Sequence, residues 1–262
     1  MRSFDLLTGD GVRLDASLHP HGGGTAKGTI IQAHGITVDK DEGGMFVRLA
    51  EALTEAGFTV IRFSYRGHGK SSGSPRGVTI AGETLDLQAA IDHARKELPP
   101  PLSLVAASFG AVSASLLISS FQKGIDSLVL WNPVLDLTRT FLEPELPWGH
   151  ANFNQNQQRA LDEHGCLLID GGFPIGRVIW REFGLYDPLS AFTESSPPAL
   201  VVHGDQDSYV SYEIAREAAL SRPRTDFHTI RGSDHGFDSA EREDEAIRVS
   251  VAWLSARSRE SA

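Results

Sequence analysis

Leu102-Ser-Leu-Val-Ala-Ala-Ser108-Phe109-Gly110-Ala-Val-Ser-Ala-Ser-Leu-Leu-Ile118 passes from an apolar run to small residues across one serine. Leu102–Ala107 is short, apolar and preceded by three prolines, which predicts a buried strand, and Phe109–Phe121 predicts a helix. Ser108 then sits on the turn between them. So sharp a turn strains the serine backbone, and the residues two before and two after must be small for strand and helix to approach. Ala106 and Gly110 meet that demand. The turn also sets the Phe109 N–H and the helix N-terminus beside the serine oxygen, where an oxyanion would need them. A plain buried serine in a strand–helix turn satisfies the same pattern, so this stretch alone does not decide the chemistry.

Outward from it, strands and helices alternate. Ser3–Leu7 and Val12–Leu18 flank Gly9-Asp10-Gly11, a hairpin turn. Thr29–Ala33 and Phe58–Phe63 predict strands around a helix that carries Phe46, Leu49, Ala50 and Leu53 and ends at Gly57. An amphipathic helix follows from Ile80 to Leu98, and Ser127–Trp131 is a further buried strand. Ala199–Val202 and Phe227–Ile230 bracket a helix near Tyr212–Leu220, and a last helix is expected from about Arg242 to Trp253. This order predicts an α/β fold with a mostly parallel central sheet and helices on both faces. Residues 133–187 break the rhythm and are too many for a loop without structure of its own. They include the amide-rich Asn152–Gln158 and an expected hairpin at Asp170-Gly171-Gly172. Residues 1–132 and 188–262 read as the core domain and 133–187 as an inserted cap.

Two later segments bear on Ser108. His203-Gly204-Asp205-Gln206-Asp207 follows one apolar strand and Gly232-Ser-Asp234-His235-Gly236 follows the next. A nucleophilic serine needs an imidazole base, and the base needs a carboxylate to fix its tautomer and stabilise its cation. Open α/β sheets gather such groups at the C-terminal edge of the strands. Asp205 and Asp207 lie in one turn, and either could be the acid.

Composition narrows the classes. The chain has 262 residues, 24 basic against 34 acidic, for a formal charge of −10. A field of that sign repels phosphate backbones, so no nucleic-acid partner is expected. Apolar runs fall far short of the roughly 20 residues of a membrane span, and the N-terminus has no apolar signal-peptide core, so a cytoplasmic protein is expected. Cys166 is the only cysteine, which excludes an intramolecular disulfide.

The sequence resembles the α/β-hydrolase-fold serine hydrolases, and within them the cinnamoyl/feruloyl esterase-like and serine aminopeptidase-like carboxylesterases. The resemblance spans nearly the whole chain. It rests on His34-Gly35-Ile36, on Phe63-Ser-Tyr-Arg-Gly-His-Gly-Lys-Ser71, on the Ser108 turn, and on the His203–Asp207 and Gly232–Gly236 segments. It implies Ser108 as nucleophile, Asp207 as acid and His235 as base, with the Ile36 and Phe109 N–H groups as oxyanion donors. Ser64 and Ala106 replace the Asp and Gly usual in the family, and neither belongs to the triad. The implied reaction is carboxylic-ester hydrolysis on small to medium apolar or aromatic acyl groups. Thioesterase, acyltransferase or amidase chemistry would use the same triad, and a non-catalytic binding protein would use the same fold. The partner is a small-molecule ester, and a homo-oligomer is left open.

The other candidates carry less. His34 and His68 read as loop-bracing residues, and Asp234 as a residue that shapes the His235 loop. Gly69-Lys70-Ser71 lacks the earlier glycine and the following helix of a phosphate loop. The ten histidines show no metal-ligand spacing, so neither metal nor cofactor is expected. Phe141, Trp148, Phe153, Phe173, Trp180, Phe183 and Tyr186 give the cap an apolar character, and some of them are expected over the nucleophile.

Overall fold

A computed structural model describes residues 1–120 and 124–260 of the chain. Its strands are β1 (Arg2–Leu7), β2 (Arg13–His19), β3 (Thr29–Ala33), β4 (Thr59–Phe63), β5 (Leu102–Ala107), β6 (Ser127–Trp131), β7 (Cys166–Ile169), β8 (Phe173–Gly176), β9 (Ala199–Gly204) and β10 (Thr225–Ile230). Its helices are α1 (Met45–Glu55), α2 (Ile80–Glu97), α3 (Gly110–Ser120), α4 (Pro147–Asn152), α5 (Gln155–His164), α6 (Arg177–Glu182), α7 (Pro188–Thr193), α8 (Tyr212–Ser221) and α9 (Ala240–Glu260). Eight strands form one sheet in the order β1-β2-β4-β3-β5-β6-β9-β10. β1, β2 and β4 pair antiparallel in turn, and every pairing from β4 to β10 is parallel.

The central strands are apolar on both sides because both faces are covered. Along β5, Leu104 and Ala106 point into the layer that holds α2, α3 and α8, whereas Val105 and Ala107 point into the layer that holds α1 and α9. Leu128 and Leu130 of β6 divide from Val129 and Trp131 in the same way. This two-residue alternation between two cores leaves no polar face for a periodicity to reveal, which is why these strands read as continuous apolar runs.

Between β6 and α7 the chain forms a wide helical turn at Thr138–Leu142, the helices α4 to α6 and the β7–β8 hairpin. Its apolar side chains form a third core with Ile36, Phe109 and Val112, which belong to the loops and helix around Ser108.

Three elements differ from the sequence-based expectation. The amide-rich stretch is helical in α5, where Asn154 Oδ1 accepts the Asn156 and Gln157 N–H groups and Gly165 ends the helix at φ +78°. Leu161 is its only buried residue, so it shows no apolar stripe. α7 has no counterpart among the expected elements; Pro188 at its first position and the Asp187 cap start it. α9 runs to Glu260, beyond Trp253, because its last turns are polar and carry no periodic signal. Phe121, the expected end of the α3 helix, lies outside the described residues. Among the described residues no helix is long and apolar enough to cross a membrane.

Candidate active site

β5 delivers Ser108 into the left-handed region, at φ +50°. Backbone bonds hold it there: its N–H donates to Trp131 O at 2.9 Å, and its carbonyl accepts Val134 N–H at 3.0 Å. α3 starts two residues later, so close to β3 that a Cβ on Gly110 would lie 2.4 Å from Ala33 O. Only glycine fits. Ala106 is fully buried in the sheet, so a methyl is accommodated at the other small position.

The C-terminal ends of β9 and β10 bring up the partners. Ser108 Oγ lies 3.0 Å from His235 Nε2, placed to donate its proton, and His235 Nδ1–H donates to Asp207 Oδ2 at 2.8 Å. Asp207 Oδ1 accepts the Tyr209 and Val210 N–H groups at 2.8 and 2.9 Å. Its Oδ2 also accepts His203 Nε2–H at 3.1 Å from a histidine that is wholly buried. Burial alone would push the Asp207 carboxyl up, but the facing His235 and His203 imidazoles outweigh it and hold the group well below the usual range. For His235 burial works against the cation, yet Asp207, with Glu42 and Asp234 behind it, raises the imidazole above its ordinary value.

The remaining sequence candidates fall elsewhere. Asp205 Oδ1 accepts the Gly232 N–H at 2.6 Å and ties the two loops together away from the imidazole. Asp234 accepts from Ser208 N–H and from the His235 N–H, both at 2.7 Å, and so shapes the loop. His34 Nδ1–H donates to Gly35 O at 2.7 Å, while its Nε2 accepts the Tyr65 N–H at 2.9 Å. The Gly35 carbonyl and the Ile36 N–H share one planar peptide, so gripping the oxygen aims the N–H the opposite way. His68 Nε2–H donates to Ile36 O at 2.6 Å and completes the grip. Among the described residues neither the Ile36 nor the Phe109 N–H has a protein acceptor. No group of three or more His, Cys, Asp or Glu among them could hold a metal.

A pocket of about 110 Å³ opens on Ser108 and His235, walled by Ile36, Val134, Phe141, Trp148, Tyr209 and Val210, with Glu42 and Asp170 as its carboxylates. Tyr209 stacks on His235 at 4.8 Å with planes 7° apart, and Trp148 stacks on Tyr209 at 5.0 Å. Of the seven aromatics in residues 133–187, Phe141 and Trp148 reach this pocket; Phe173 stacks on His68 and the others pack within the third core. Glu42, His203 and Tyr209 were not assigned to the site from sequence. His203 belongs to the His203–Asp207 segment, but its bond to Asp207 crosses a turn that spacing alone does not specify.

A strained serine on a strand–helix turn, in a sheet of this strand order, defines an α/β hydrolase. A family profile described as serine aminopeptidase, S33 matches residues 24–163, and the chain belongs to that family. YfhR, an uncharacterized protein of Escherichia coli O157:H7, is 31% identical over 134 residues, 49% of this chain and 45% of its own length. Esterase LipC of Mycobacterium tuberculosis is 33% identical over 86 residues, 31% of this chain and 18% of its own. The chain thus spans about half or less of the length of these curated relatives. Est1E of Butyrivibrio proteoclasticus, solved with ferulic acid bound, superposes with a TM-score of 0.79 at 22% identity over 99% of this chain and 98% of that one. That likeness is one of fold.

Proposed function

We propose that the protein is a serine carboxylic-ester hydrolase. The unbroken line from Ser108 Oγ through His235 to Asp207, with two unpaired N–H groups beside the serine, carries the reading. Ser108 attacks the ester carbonyl as His235 takes its proton, and Asp207 stabilises the imidazolium. The carbonyl oxygen becomes an oxyanion held by the Ile36 and Phe109 N–H groups. His235 then gives the proton to the departing alcohol, and a water, activated by the same imidazole, releases the acid from Ser108.

Residues 133–187 act in this proposal as a cap over the 1–132 and 188–262 core. Phe141 and Trp148 line the pocket, which supports aromatic or medium-sized apolar acyl groups; the ferulic acid seen in Est1E belongs to that class. A panel of p-nitrophenyl and hydroxycinnamoyl esters, with matched thioesters and anilides, tests this. Aromatic esters should exceed acetate by about tenfold in kcat/KM, the order a pocket contact commands, and Trp148→Ala should erase most of the difference. Equal rates on acetate and cinnamate would reduce the cap to a packing element.

The base works only when neutral. Because Asp207 raises the His235 imidazole, kcat/KM should climb with pH through an ionisation above the ordinary histidine value and then level off. A profile that falls from pH 5 to pH 8 contradicts a neutral-imidazole base.

A further inference from the structure

Of the two carboxylates that line the pocket, Asp170 is exposed and Glu42 is buried. Glu42 holds φ +46°, which side-chain-bearing residues rarely adopt, just before Gly43 and Gly44. Strain of that kind persists where the surroundings enforce it, and it clusters at working sites. Its Oε2 accepts the Gly35 N–H at 2.7 Å, and among the described residues no protein donor reaches Oε1. A Cβ built on Gly35 would lie 3.3 Å from Ser108 Cβ and 3.4 Å from Glu42 Oε1, so carboxyl and nucleophile share one side of that glycine. Nothing in an ester-hydrolase triad uses this group.

We propose that Glu42 is a positioning residue of the active site. It pins the peptide preceding the Ile36 N–H, and it sets the charge that His235 meets across the pocket. The inference rests on the assignment of Ser108, His235 and Ile36 proposed above. His34 grips the Gly35 carbonyl and Glu42 grips the Gly35 nitrogen, so the loop is held on both sides of that residue. Burial pushes the Glu42 carboxyl up to about 7, against the Gly35 N–H and the His235 charge, which lower it, and with Asp39, which raises it. His235 in turn faces Asp207, Glu42 and Asp234. Carboxyl and imidazole are therefore coupled, each favouring the charged form of the other. A charged Glu42 stabilises the imidazolium but opposes a nearby oxyanion; a neutral one does neither.

His235 ring NMR across pH, read without substrate, separates this from the reaction itself. In the unmodified protein the His235 shift should follow two steps, and in Glu42→Gln one step with a lower midpoint. The acid limb of kcat/KM should move down with it. Glu42→Ala, which leaves the Gly35 N–H without its acceptor, should cost about tenfold in plateau kcat and more than Glu42→Gln does. A single-step His235 curve in the unmodified protein, or superimposed curves with Glu42→Gln, overturns the charge role. An undiminished kcat in folded Glu42→Ala overturns the pinning. If no ester is turned over yet His235 responds to Glu42→Gln as described, the hydrolase reading fails and the pairing of Glu42 with His235 stands.

Discussion

Ser108→Ala should lower kcat by about 10⁴-fold or more while thermal stability stays close to that of the unmodified protein. In the proposed mechanism the loss is large because a triad acts as a unit: without the nucleophile, neither imidazole nor oxyanion donors have a covalent step to assist. Stability is spared because the backbone bonds at this turn involve the N–H and carbonyl that alanine retains. The side chain contributes one hydrogen bond, to His235 Nε2. Unchanged hydrolysis by Ser108→Ala sinks the mechanism outright, and so does a fluorophosphonate probe that labels the variant as it labels the parent.

Asp207→Asn should cost about 10³–10⁴-fold in kcat, and Asp205→Asn less than about tenfold. An amide in place of Asp207 retains shape but no longer has a charged oxygen for both the His235 and the His203 N–H groups, so the imidazole loses the partner that fixes its tautomer. Asp205 only joins two loops through Gly232. The reverse ranking would move the acid to Asp205.

The residues that spacing could find are those whose surroundings are local. Ser108 lies between a strand and a helix whose small residues are visible on either side, and the histidine and aspartates follow apolar strands that end at one sheet edge. The parallel sheet was legible for the same reason: each strand is a closed apolar run between turn residues. Glu42 was not legible. It stands in Asp39-Lys-Asp-Glu42, which has the look of a solvated charge run, and its burial arises only when that turn folds back onto Gly35. Likewise the Trp148–Tyr209 stack joins residues far apart in the chain, and no local pattern announces it. The polar helix α5 escaped notice because one buried leucine does not make a stripe.

The column of rings from Trp148 through Tyr209 to His235 bears on how such a protein can diversify. In the proposed reading residues 133–187 are a cap, a module that leaves the sheet at the C-terminal end of β6 and is followed by α7. Yet one of their side chains is the outer plate of a stack whose inner plate is His235, the proposed base. Swapping the module for another would change the walls of the pocket and, in the same stroke, remove the outer ring that backs Tyr209 against the imidazole. A transplanted segment must bring a flat side chain to the place of Trp148, or leave Tyr209 free to tilt. On the proposed function, substrate range and the posture of His235 are therefore inherited together, and a graft chosen for its pocket alone would alter both.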